Sequence, residues 1–217
     1  MRKIVLLLII TMSLTLTSGF SAVQNTPQAR LNALLKDINV TELTAEITTR
    51  VKTPKLFAET SESNYKSFSP IVAYIDRLGT HAIRKVTTAD EMIVIDTYKL
   101  NGISEVFTAY MNARSTAINS GGDAYLAIKC RVPKRYEAGK ELGNLVLKKL
   151  GGDKILQPSL EANQHYSAVT YIPEWGKAEK VENDLYNLEV IVQPNFSDDS
   201  TSLYLLAPVF IGDLGEL

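Results

Sequence analysis

Apolar and polar positions change their rhythm several times along this chain, and each rhythm names an element. From Thr26, the stretch TPQARLNALLKDI sets Leu31, Leu34, Leu35 and Ile38 on one stripe at spacings of three and four. That is the period of a helix with one buried face. Thr26 is a good capping residue, and Pro27 fits the first helical position, where a missing N–H is harmless. The period then drops to two. In VTELTAEITTRVK, Leu43, Ala45, Ile47 and Val51 alternate with Thr44, Glu46, Thr48 and Arg50, which predicts a strand with one wet face.

After a loop over residues 53–63, SFSPIVAYIDRLG reads as a helix entered through Ser69-Pro70 and stopped at Gly79. Four strands are expected next: the weakly patterned HAIRKV, then EMIVIDTYK, then SEVFTAYMNA after an Asn101-Gly102 turn, then DAYLAIKCRV after a turn at Asn119–Gly122. In the last of these, Ala124, Leu126, Ile128, Cys130 and Val132 share one face, while Tyr125, Lys129 and Arg131 take the other. Pro133 introduces a further helix, RYEAGKELGNLVLKKL, whose buried side is expected to be Leu142, Leu145, Val146 and Leu150. Gly151-Gly152 ends it, and Lys148 and Lys149 sit in the last turn, where the helix dipole favours cations.

The order strand, helix, four strands, helix implies an α+β fold, an antiparallel sheet with helices on one face and the other face left bare. Residues 23–153 form this first α+β half. Residues 154–217 form a β-rich second half packed with it, carried by HYSAVTYI, NLEVIV and SLYLLAPVFI. In NLEVIV, Leu188, Val190 and Val192 point one way. In SLYLLAPVFI, Leu203, Leu205, Ala207 and Val209 share a face while Tyr204, Leu206 and Phe210 avoid water on the other, so burial on both sides is expected. Pro208 cannot donate a ladder hydrogen bond and is expected at a sheet edge or bulge. The hairpin around NFSDDST should therefore complete the core.

The start of the chain, MRKIVLLLIITMSLTLTSGFSA, has the basic, apolar and small-residue order of a secretory signal peptide over residues 1–22. Its apolar run from Ile4 to about Leu16 is short of the ~20 residues that span a bilayer, though an uncleaved anchor is the alternative. Phe20 would be three positions before a cut after Ala22, so cleavage after Gly19 or Ser21 is equally compatible. No cysteine lies there for lipid attachment. An exported, extracytoplasmic protein follows, touching the membrane only through an uncleaved leader.

Charge narrows the partners. Formal net charge is −1, from 23 basic and 24 acidic residues, and loss of Arg2 and Lys3 with the leader makes it −3. Such a chain has no bulk attraction for nucleic acid. At 45% hydrophobic and 22% charged it can still build an ordinary core. The single cysteine, Cys130, offers no internal disulfide and reads as a buried, inert thiol.

Chemistry-bearing motifs are few. His81 and His165 lack a sequence context for metal or triad chemistry, and no G-x-S-x-G, H-E-x-x-H, phosphate-loop or paired-cysteine pattern occurs. No catalytic residue, metal ligand or cofactor is assigned. Asp198 and Asp199 read as turn residues rather than a calcium loop. Gly139 and Gly143 predict close packing of their helix on the sheet. Arg131, Lys134, Arg135 and Lys140 gather near a strand-to-helix junction and, with Tyr125 and Lys129, make the candidate contact surface for an anion or a partner. Tyr166, Tyr171, Trp175 and Tyr186 are expected to be buried caps of the second half of the sheet.

The signal-like start, EAGKELGNLVLKKLGG followed by a strand, HYSAVTYIPEW, and the ending YNLEVIVQPNFSDDSTSLYLLAPVFI together resemble the YwmB family of exported proteins from Gram-positive bacteria. The Leu206-Ala207-Pro208 step matches the family's Gly-Thr-Pro-like step only at the proline. The resemblance implies a TATA-box-binding-protein-like fold, with a β-α-β-β-β-β-α unit in the first half, and implies no catalytic residues.

Three functions compete. The first is a non-enzymatic binding or interaction module at the cell envelope, holding an envelope protein or wall polymer on the open face that shows Thr44, Glu46, Thr48, Arg50, Tyr125, Lys129 and Arg131. Mixed charges there suit a polar protein better than a polyanion. The second is an envelope enzyme with an unrecognised site, which would require a pocket joining His81 or His165 to carboxylates. The third is nucleic-acid binding by fold analogy, disfavoured by charge and by export.

Overall fold

The structure is a computed structural model that describes residues 26–54, 79–87, 91–100, 105–119, 121–136, 139–152, 157–159, 165–176, 178–181 and 184–208. The leader, the helix expected up to residue 78, the Asn101-Gly102 turn, Val209 and Phe210 lie outside these residues.

In chain order the elements are α1 (Pro27–Asp37), β1 (Glu42–Pro54), β2 (Gly79–Thr87), β3 (Glu91–Leu100), α2 (Val106–Asn119), β4 (Asp123–Val132), α3 (Gly139–Leu150), β5 (Gln157–Ser159), β6 (Tyr166–Thr170), a 3-10 turn (Pro173–Trp175), β7 (Glu179–Val181), β8 (Asp184–Tyr186), β9 (Leu188–Asn195) and β10 (Ser200–Ala207). Among the described residues, eight strands form one antiparallel sheet in the order β2-β3-β1-β4-β10-β9-β6-β5, and β7 pairs with β8 apart from it. The α+β class is as expected. Because β10 pairs with β4, the two halves share a single sheet.

All three described helices lie on one face. α2 packs on β1 and β4, α3 packs on β9 and β6, and α1 bridges α2 and α3. Thr26 caps α1 as its sequence foretold, its Oγ1 accepting from Ala29 N at 3.2 Å. The alternation in β1 and β4 sends Ala45, Ile47, Leu126, Ile128 and Cys130 to the helices. Leu31 and Leu34 from α1 and Leu142, Val146 and Leu150 from α3 meet them in one continuous core. Each such leucine contributes about 1.5–3 kcal/mol by leaving water, so packing alone can hold this fold without a disulfide.

The segment expected as a strand over 104–113 is corrected: residues 106–113 belong to a helix, α2. Val106, Ala109, Tyr110, Ala113 and Ala117 are all buried, a stripe at spacings of three and four that a ten-residue window centred on Val106, Phe107 and Tyr110 disguises. The alanines let the helix lie close on β1 and β4. Its start is secured from another element, since Phe107 N donates to Gln28 Oε1 on α1 at 2.8 Å. It ends at Asn119, and Gly121 and Gly122 close a helix there rather than a hairpin. Gly121 has φ +71°, and Gly122 N donates to Ala117 O at 2.7 Å. Four consecutive strands are therefore absent from the described residues between β1 and α3, which run β2, β3, α2, β4.

Three smaller corrections follow from the same geometry. α3 begins at Gly139 rather than near Arg135. Leu145 is 36% exposed, and Leu147 takes the buried place expected for it, because the stripe from Leu142 through Val146 to Leu150 admits 147 and leaves 145 at its flank. Pro208 follows the end of β10, a strand interior to the sheet, so it terminates a central strand and marks no edge.

Close packing at α3 is as expected. A Cβ built on Gly143 would lie 2.2 Å from Tyr166 Cε1, so the ring occupies the side-chain space. Tyr166, Trp175 and Tyr186 are buried, whereas Tyr171 is exposed. Trp175 packs edge-on against Phe107, ring centroids 5.5 Å apart. The turn carrying it is held by Asn187, which is fully buried. Asn187 Oδ1 accepts from Ile172 N at 2.9 Å, and its Nδ2 donates to Ile172 O at 2.8 Å and Gly176 O at 3.1 Å.

Candidate functional site

Register decides what the second sheet face presents. Across β1 and β4, Glu42 stands beside Arg131, Thr44 beside Lys129, Glu46 beside Ala127, and Thr48 beside Tyr125. Across β4 and β10, Arg131 stands beside Ser202, Lys129 beside Tyr204, and Ala127 beside Leu206. Every one of these has the opposite parity to the core residues, so they share the face away from the helices. The open-face set read from the sequence is thus placed together. The face is not bare throughout, because Ile191 and Leu206 are buried there. Both-sided burial of the last strand is accordingly seen at Leu206, and the polar surface lies chiefly on β1, β4 and the Ser202–Tyr204 part of β10.

A groove of about 740 Å³ crosses this surface. Ala127 lowers its floor between longer neighbours. Glu42, Thr44 and Glu46 line one side, Lys129 and Arg131 the middle, and Ser202, Tyr204, Asn195 and Asp198 the other. Its volume falls within the range of small-ligand and short-peptide sites. Cys130 adds backbone only. Its thiol is 1% exposed on the core side, and burial pushes its pKa up to about 12, so it is the inert thiol expected.

The expected basic cluster does not act as one patch. Arg131 donates from NH1 to Glu42 Oε1 at 2.9 Å, from Nε to Ser200 Oγ at 3.2 Å, and from NH2 to Asp198 Oδ2. Arg135 lies 3.6 Å from Asp199 and over the exposed Phe196 ring. Lys134 sits 4.7 Å above the Tyr136 ring. Lys140 is exposed on α3, away from the groove lining. Tyr125 and Lys129 are on the groove face, and Lys129 Nζ lies 5.4 Å from the centre of the Tyr204 ring.

Asp198 and Asp199 are turn residues, as read, but they also neutralise the two arginines. Asp198 Oδ1 accepts from Ser200 N at 3.2 Å and from the Ser200 hydroxyl. The Ser200 bonds, aided by the Arg131 charge, hold the Asp198 carboxyl below its ordinary value. A second depression of about 550 Å³ lies on the other side of this bridge, lined by Thr41, Pro133 and Asp199 among others. The sequence does not single out Glu42, Ser202 and Asn195, and it presents Asp198 and Tyr204 as a turn residue and a water-avoiding residue rather than as groove residues. The β1–β4 pairing brings Glu42 to Arg131, the β4–β10 and β10–β9 pairings bring the others to Arg131 and Lys129, and no local pattern encodes those pairings.

Among the described residues no group of three His, Cys, Asp or Glu side chains is placed to hold a metal ion, and no helix is long and apolar enough to cross a membrane.

No protein-family model matches the chain, and no curated protein matches its sequence. Among solved structures it aligns with a class II 3-hydroxy-3-methylglutaryl-CoA reductase from Streptococcus pneumoniae bound to NADPH in open conformations. Identity is 9% and the TM-score 0.19, with 84% of this chain and 56% of that chain covered. A likeness of that size carries no argument about fold or activity.

Proposed function

We propose that this chain is an exported, non-enzymatic binding module of the cell envelope that seats a protein partner in the groove across β1, β4 and β10. One observation carries the reading: the groove interleaves Glu42, Glu46 and Asp198 with Lys129 and Arg131 on an open sheet face. Mixed charge of this kind complements a polar protein surface, whereas a polyanion would meet three carboxylates. The leader-like residues 1–22 support export, and the resemblance to YwmB proteins supports the envelope. One sheet with its described helices on a single face supports the finer likeness to the TATA-box-binding fold, although α2 occupies a place where that unit has a strand. Duplex DNA is a poor ligand on the same charge argument, and no salt-dependent mobility shift is expected. An enzymatic reading gains little, since neither depression is lined by His165.

The test is site-directed photo-crosslinking in the intact envelope. A crosslinker at Thr44 should capture one discrete protein, and the same group at Lys148 on the helix face should not. Identical ladders from both positions would refute the binding reading, and a full-length chain confined to the cytosol would refute export.

A further inference from the structure

Around the 3-10 turn, hydrogen-bond donors outnumber acceptors. The turn's carbonyls are taken: Ile172 O accepts from Trp175 N and Asn187 Nδ2, Pro173 O from Gly176 N, and Gly176 O from Asn187 Nδ2. Its carboxylate is taken as well, since Glu174 Oε1 accepts from Arg30 NH2 at 3.0 Å. Trp175 Nε1 and the Tyr110 hydroxyl are nevertheless buried without a hydrogen-bond partner, and so is Arg30 Nε. Trp175 and Tyr110 are 1% and 0% exposed, and the Phe107 ring meets both, with centroids 5.5 and 6.3 Å away. Buried donors left in this way are costly and call for an acceptor. Cationic charge is present at the same place. Arg114 follows Tyr110 by one turn of α2, and its Cζ lies 2.7 Å from where a Cβ on Gly176 would stand, so the guanidinium rests against the turn. It is half-buried and makes no ion pair or hydrogen bond among the described residues. Burial pushes the Tyr110 pKa up to about 12, and the Arg114 charge opposes that rise more than Asp123 adds to it.

We propose that the junction of α2 with this turn is a binding site for a carboxylate group, held by the Arg114 guanidinium with the Trp175 Nε1–H and the Tyr110 O–H as neutral donors. A guanidinium presents parallel N–H bonds that match the two oxygens of a carboxylate. Arg30 and Arg114 face only Glu174 at this turn, so a second carboxylate balances the charge. Access is along α2, where Arg114 is half-buried and Ile118, one turn on, is 47% exposed. The site lies on the helix side of the sheet, away from the groove, and does not rest on the binding role proposed for that groove.

Trp175 is the single tryptophan, so its emission in the folded, full-length chain reads the site directly. The probes are sodium formate, sodium acetate, and acetyl-Ala-Ala with a free or an amidated C-terminus, titrated at constant ionic strength held with sodium fluoride. Saturation by formate and acetate alone supports a free small acid as ligand, and saturation by the free-acid peptide but not its amide supports a chain terminus. Arg114→Gln should weaken binding by about tenfold or more, the scale of a charged hydrogen bond, and Tyr110→Phe by about threefold. Arg114→Lys, which keeps the charge and loses the fork, should fall between the unaltered protein and Arg114→Gln. Thermal melts establish that each variant folds, and Arg114→Lys carries the comparison if Arg114→Gln does not. They also give a second readout, because about 100 mM formate should raise the midpoint of the unaltered protein more than that of either Arg114 variant. No saturable change with any carboxylate overturns the proposal. So does an equal half-saturation in the unaltered protein and the folded Arg114 variants, or an equal response to the amidated peptide.

Discussion

Replacing Asn187 by alanine isolates how much the buried clasp around Trp175 contributes. The side chain is fully buried and makes three hydrogen bonds, to Ile172 N, Ile172 O and Gly176 O. Its orientation is fixed by its partners, because the oxygen faces an N–H and the nitrogen faces two carbonyls. Alanine leaves these groups in a site that Ile172, itself fully buried, closes to solvent. Each buried polar group stripped of its partner costs about 1–3 kcal/mol. The Ile172 pair carries the full penalty, and the partly buried Gly176 carbonyl recovers some by hydration. A loss of about 3–4 kcal/mol is expected, a large part of the 5–15 kcal/mol typical of a domain. Urea unfolding followed by tryptophan fluorescence measures it, since the single tryptophan, Trp175, sits in the turn being released. Asn187→Asp should be almost as costly, because it removes both donated bonds and sets a carboxylate against two carbonyls. A loss below about 1 kcal/mol in Asn187→Ala would refute the claim that these bonds hold the turn.

Gly143→Ala should destabilise despite the roughly 1 kcal/mol gain in helix propensity, because the new methyl falls within 2.4 Å of two Tyr166 ring atoms. Overpacking costs about 1–3 kcal/mol, and a lower urea midpoint than Gly139→Ala, whose nearest contact is 3.0 Å, is the result to look for. Cys130 should resist a thiol reagent at pH 8 in the native protein and react promptly in urea, as its raised pKa and burial require. Asp198 gives a pH signature. Its folded pKa is below the unfolded one, so its contribution is present above the ordinary value of 3.8 and fades as pH falls through the lower folded value. The stability gap between the unaltered protein and Asp198→Asn should therefore narrow from pH 5 to pH 3, and a gap that widens over this interval would contradict the assignment.

Local signals were read well where one element answers to one pattern. The Thr26-Pro27 start, the alternation in β1 and β4, the glycine end of α3 and the inward Cys130 all depend on neighbours a few residues away. α2 was misread because Val106, Phe107, Tyr110 and Met111 favour strands by composition, while the alanines that complete a helical stripe extend to Ala117. Its N-terminal cap comes from Gln28, 79 positions earlier, and no window could contain both. The groove repeats that lesson. Tyr125, Lys129 and Arg131 were legible as outward residues of one strand, but the partners of Arg131 are 67 residues later at Asp198 and 89 earlier at Glu42. Charge counted along the chain therefore suggested a basic corner, and charge counted across the sheet gives a balanced one.

That balance has a structural origin in β10. One face of this strand carries Leu203, Leu205 and Ala207 into the core, each fully buried, and the other brings Ser202 and Tyr204 to the groove. The turn that precedes it delivers Asp198 to Arg131. The strand lies between β4 and β9, so deleting it would open the sheet at its middle and expose the core along with the groove wall. Truncation is consequently a test of folding and says nothing separate about binding. Function has to be probed at single positions of groove parity, Thr44, Lys129, Ser202 and Tyr204, where a change alters what the face offers and leaves the opposite row of apolar side chains in place.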